Sequence, residues 1–115
     1  MDRRVRRIIE MLDLESHCRL HVGELARRVG LGSSRLEHLF KSNARISIRD
    51  FIRERRLAAA AALLETTEER ISVIGYQVGF RDASNFNHAF KRRFGVSPRT
   101  YRARLHDDDA AEDTK

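Results

Sequence analysis

Residues 25–41, LARRVGLGSSRLEHLFK, and residues 74–91, IGYQVGFRDASNFNHAFK, are two versions of one pattern. Leu25, Ala26, Gly30, Leu36, Phe40 and Lys41 of the first correspond to Ile74, Gly75, Gly79, Phe86, Phe90 and Lys91 of the second, with one extra residue in the second turn. A small side chain, Ala26 or Gly75, suits a point where two helices cross closely. Four positions later a glycine takes the positive φ that ends the first helix abruptly. Six residues further on, or seven in the second copy, an apolar side chain locks the next helix against the first. Gly75 inside a helix costs about 1 kcal/mol relative to alanine, so it must be there for closeness. Each stretch reads as two short helices packed across a tight turn. One such pair fits many small bundles; two copies point to a duplicated helix-turn-helix unit.

Outward from these stretches, three-to-four spacing of apolar residues predicts helices throughout and an all-α chain of seven helices. Residues 3–14 carry the stripe Val5, Ile8, Ile9 and Leu12 opposite an arginine-rich face. Residues 22–29 form the next helix, with Leu20 stapled to Leu25 and Gly30 as its stop. Residues 33–42 bury Leu36, Leu39 and Phe40. The longest helix, residues 47–64, starts at Ser47 as a cap with Asp50 reciprocating and Ile46 stapled to Phe51. Its alanine run, residues 58–62, has the highest helix propensity in the chain and suits a rigid spacer. A polar connection, residues 65–70, precedes a helix over residues 73–78 capped by Ser72 and stopped by Gly79. Asp82 caps residues 83–94, with Phe86, Ala89 and Phe90 inward. After Gly95, Ser97 and Pro98 open a last helix through residue 104. The predicted organisation is lobe one at about 1–45, a linker helix at about 47–65, lobe two at about 70–105, and an acidic disordered tail at 106–115.

A chain of 115 residues accommodates one compact domain or two very small subdomains sharing a helix, which excludes a large enzyme with a deep cleft. The net charge is +6, yet the last ten residues hold five acids against one lysine. Removing that net −4 leaves about +10 on residues 1–105, a charge that favours a polyanionic partner, nucleic acid before an anionic membrane surface. No apolar run approaches the roughly 20 residues of a membrane span, and no secretory apolar core follows the first arginines, so a soluble cytoplasmic protein is expected. The single cysteine, Cys18, has no disulfide partner within the chain. His17, Cys18 and His21 lie close together without a fourth ligand, so no metal is expected, and no cofactor either. Paired carboxylates, a nucleophile with a base, and a phosphate loop are all missing, which speaks against an enzyme.

Val78, Gly79, Phe80, Ser84, Phe86, Phe90, Lys91, Phe94, Gly95, Ser97, Pro98, Tyr101 and Arg102 stand at the spacing of a known signature. In these residues, and more loosely over residues 3–105, the chain resembles the DNA-binding region of AraC/XylS-type transcription regulators. The resemblance implies two homeodomain-like three-helix lobes joined by a long central helix. Each lobe would lay one recognition helix into successive major-groove segments, roughly 34 to 36 Å apart. Four residues depart from the family pattern: His21 and Gly32 replace the usual caps of the second and third helices, and Ala44 and Arg45 occupy a turn where glycine is customary. The first lobe is therefore the less typical one.

The same resemblance assigns base contacts to Ser34, Glu37 and His38 in the first lobe and to Ala83, Ser84, Asn87 and His88 in the second. Asn87 stands out because asparagine pairs bidentately with adenine in the major groove. Phosphate contacts fall to Arg35, Lys41, Arg81, Lys91 and Arg99, with the amides at the starts of the third and last helices. The charged run Arg53, Glu54, Arg55 and Arg56 reads equally well as a structural support or a contact. The function implied is a regulator of bacterial transcription that binds double-stranded promoter DNA and activates by touching RNA polymerase. The alternative is a non-specific architectural or nucleoid-associated binder. Family members often carry an N-terminal effector or dimerisation domain. Nothing of that kind precedes Arg3, so the chain reads either as a short stand-alone regulator or as the C-terminal part of a longer one.

Overall fold

The computed structural model describes residues 1–14 and 21–113, with side chains as far as Asp107. Among the described residues there are seven helices and no strand: α1 (Arg3–Leu14), α2 (Val22–Arg28), α3 (Ser33–Ala44), α4 (Ile48–Thr66), α5 (Ile71–Gln77), α6 (Ala83–Phe94) and α7 (Pro98–Asp113). The chain divides into two units, Met1–Arg56 and Leu57–Lys115, each with its own apolar core.

In the first unit, Val5, Ile8 and Leu12 of α1 meet Val22, Leu25 and Ala26 of α2, Leu36 and Phe40 of α3, and Ile48 and Ile52 of α4. Asp2 caps α1, accepting from the Arg4 amide at 2.8 Å and from its guanidinium at 3.3 Å, and the Arg4 bonds hold this carboxyl below its usual pKa. The turn after α2 is a Schellman motif: the Leu31 amide donates to the Ala26 carbonyl (2.9 Å), the Gly30 amide to that of Arg27 (3.2 Å), and Gly30 takes φ +74°. Helix α3 runs two residues beyond the expected end. Asn43 ties its last turn down by donating to the Leu39 carbonyl (2.9 Å) and accepting from the Asp2 amide (2.8 Å). Arg45 then enters the left-handed region at φ 61°, the one described non-glycine residue to do so. The Ser47 hydroxyl accepts from the Asp50 amide (3.1 Å), while the Asp50 carboxylate pairs with Arg53 (3.3 Å). Ile46 stays exposed, and Phe51 rests edge-on against Phe40. The staple of Leu20 on Leu25 lies outside the described residues.

The second unit repeats the plan. Leu57, Ala60, Ala61 and Leu64 of α4 stand where α1 stands in the first, facing Ile74, Val78, Phe86 and Phe90. The Phe80 amide donates to the Gly75 carbonyl (3.0 Å) and that of Gly79 to Tyr76 (3.1 Å), the same Schellman closure with Gly79 at φ +105°. The duplication reaches past the two stretches quoted above, with an offset of fifty residues: Ser97 accepts from the Thr100 amide at 3.1 Å as Ser47 does from Asp50, and Tyr101 packs edge-on against Phe90 at 5.3 Å as Phe51 does against Phe40. Asp82 caps α6 through the Asn85 amide (2.7 Å).

Four expectations need correction. The alanine run of α4 is not a bare spacer, because Ala59, Ala60 and Ala61 are buried in the second core while Ile48 and Ile52 belong to the first. Its end extends to Thr66: the Thr66 and Thr67 hydroxyls bond back to carbonyls four residues earlier, and Arg102 donates to the carbonyls of Leu64, Thr67 and Glu69. Ser72 is not the cap of α5; that position falls on Arg70, because Ile71 packs against the second core and is drawn into the first turn. Finally, α7 runs to Asp113, past the expected end at residue 104, with no glycine or proline after Pro98 to stop it.

Candidate nucleic-acid interface

Burying Leu36 and Phe40 fixes how α3 is rotated and turns Ser34, Arg35, His38 and Lys41 outward, with Glu37 half-buried beside them. Residues 34, 37, 38 and 41 share one face by helical spacing. With Ser47, Ile48 and Arg49 they line an open, shallow depression between α3 and the start of α4. Its charge is not simply positive: Glu37 Oε1 accepts from Arg49 Nη2 at 3.1 Å.

Burial of Phe86 and Phe90 does the same for α6, leaving Ala83, Ser84, Asn87, His88 and Lys91 exposed. Asn85 is withdrawn from that set, its amide group donating to Asp82 at 3.1 Å. Arg81 in the preceding turn and Arg99 in the first turn of α7 are also exposed. Ser34, Glu37, His38 and Lys41 are each fifty residues before Ser84, Asn87, His88 and Lys91, so the two faces are equivalent positions of the duplicated unit.

Each expected contact residue is thus exposed or, for Glu37, half-buried; Ser34, Glu37, His38 and Lys41 share one face of α3, and Ser84, Asn87, His88 and Lys91 share the equivalent face of α6. The structure also shows a residue absent from the expected set, Arg49, at the position equivalent to Arg99. The fifty-residue offset was the signal that would have found it. Within the Arg53 to Arg56 run, Arg53 pairs with Asp50 (3.3 Å), and Arg55 pairs with Asp13 (2.5 Å) and lies over the Phe51 ring. His17 and Cys18 lie outside the described residues, and among the described residues no histidine, cysteine and carboxylate cluster could hold a metal. No described helix is long and apolar enough to cross a membrane.

The family described as a helix-turn-helix domain matches residues 25–104. Among curated proteins, the arabinose operon regulatory protein of Escherichia coli is 36% identical over 104 residues, covering 90% of this chain and 36% of that protein. The regulatory protein SoxS of Salmonella typhimurium is 31% identical over 101 residues, covering 88% of this chain and 94% of that protein. The chain spans only about a third of the length of the arabinose relatives it matches, at 36% and 37%. Among solved structures, the DNA-binding domain of AdpA in complex with a target DNA shares the fold at a TM-score of 0.85, with 22% identity over 93% of this chain and 96% of that one. With the duplicated helix pairs already in view, these likenesses place the chain in the AraC-type family of helix-turn-helix transcription regulators.

Proposed function

We propose that the chain binds double-stranded promoter DNA sequence-specifically and regulates transcription, reading two successive major-groove segments with α3 and α6. The observation that carries this reading is the pair of equivalent outward faces, each built on a helix whose opposite side is locked into its own core. Base edges are met by Ser34 and His38 from α3 and by Ala83, Ser84, Asn87 and His88 from α6; Glu37 lies on the α3 face with its carboxylate engaged by Arg49. Arg35, Lys41, Arg81, Lys91 and Arg99 supply phosphate contacts, which fix the pose without reading sequence. The net charge of +6 draws the chain to the duplex. The protein works in the cytoplasm at the nucleoid, activates through contact with RNA polymerase, and has no catalytic role. The names of the arabinose and SoxS relatives, both regulatory proteins, support the reading.

The test is selection from a pool of randomised duplexes at near-physiological salt, followed by Asn87→Ala on the recovered site. Enrichment of two blocks about one helical turn apart is expected. Asn87→Ala should then cost about 1 to 3 kcal/mol on that site and little on random DNA. Salt-dependent binding without an enriched motif would instead make the chain an architectural binder.

A further inference from the structure

Glu37 and Arg49 join the outward face of α3 to the first turn of α4, and the guanidinium is the more exposed partner, 70% against 41%. Arginine carries five donors in a planar fork, so the contact made through Nη2 leaves the rest of the fork for a second acceptor. The duplication adds a separate observation. Arg49 is the equivalent of Arg99, and Glu37 the equivalent of Asn87. Where the second unit has a neutral amide at Asn87, the first has a carboxylate at the equivalent Glu37. On a face turned to phosphates, a lone carboxylate is repelled; one paired at 3.1 Å with a guanidinium is neutralised.

We infer that Arg49 is a DNA-phosphate contact of the first unit and that Glu37 is its positioning residue, holding the guanidinium at the rim of the α3 face instead of reading a cytosine amino group. This rests on the DNA binding proposed above. The pair places a charged clamp beside Ser34 and His38, which leaves those two as the base-reading side chains of α3.

The experiment uses the whole chain and two probes, the duplex recovered by selection with the unaltered protein and a random-sequence duplex of equal length. Each is titrated by fluorescence anisotropy between about 50 and 200 mM salt. Arg49→Ala is expected to weaken binding to both probes about tenfold and to lower the log-log salt slope by about one. Arg49→Lys keeps the slope because the charge remains, but loses about threefold in affinity for want of the fork. Glu37→Gln leaves the selected base sequence unchanged, and when added to Arg49→Ala it recovers about threefold of the loss by removing the stranded carboxylate. An unchanged slope in Arg49→Ala, or a new base preference at one position in Glu37→Gln, overturns the inference. The unaltered chain is read first: if it binds neither probe, the proposed function falls before any variant is compared.

Discussion

Gly75 shows how one missing methyl sets a helix pair. A Cβ built there would lie 2.6 Å from Phe86 Cδ2, 2.8 Å from Cγ and 3.1 Å from Cβ, so the inner part of the ring, not a flexible tip, stands in the way. The equivalent Ala26 has its methyl because its opposite number is Leu36, a smaller and more yielding side chain. Gly75→Ala should therefore destabilise the second unit by about 1 to 3 kcal/mol, despite gaining about 1 kcal/mol of helix propensity, and thermal unfolding would register the loss. Arg45 shows the reverse case. It holds φ 61° where the second unit has Gly95 at 84°, so Arg45→Gly should raise stability by about 0.5 to 1 kcal/mol in denaturant titration. The sequence displayed both positions; that Arg45 departs from a customary glycine was legible, whereas the need for Gly75 to be so small depended on the rotamer of Phe86.

Among the elements, α6 is the best determined by its own sequence. Asp82 accepts the Asn85 amide at 2.7 Å, Gly95 stops the helix in the left-handed region, and Lys91, Arg92 and Arg93 oppose the negative end of the dipole. Asp82→Ala should cost about 1 kcal/mol and fray the first turn, which carries Ala83 and Ser84; hydrogen exchange of the Asn85 amide would report it directly. Helix α2 lacks a side-chain cap at His21 and α3 lacks one at Gly32, so their starts rely on packing of Val22, Leu25 and Leu36. Helix α4 is the element that local reading misjudged. Its alanines have no amphipathic contrast strong enough to reveal a buried stripe, and only Ile74, Val78 and Phe90 opposite them turn that stripe into core. Its end is held from a distance as well. Arg102 caps three carbonyls, and the Tyr101 hydroxyl donates to Glu65, whose carboxylate pushes the phenol above its usual pKa.

At the scale of the whole molecule, two cores of similar plan predict two separable folding units. Phe90 is fully buried and contacts the rings of Phe86, Phe94 and Tyr101. Phe90→Ala should remove about 3 to 5 kcal/mol from the second unit, while amides of α2 and α3 keep their hydrogen-exchange protection. Simultaneous loss of protection in both units would show that they unfold as one. The helical class, most helix ends, the duplication and most residues of both outward faces are legible along the chain. Caps, glycine stops and amphipathic spacing act within about four residues along the chain, so they are written locally. Tertiary structure alone decided how α4 is shared between two cores, why Gly75 admits no methyl, and that Glu37 is engaged by Arg49. Each of these depends on side chains brought together from separate helices, where distance in space is set by packing and not by spacing along the chain.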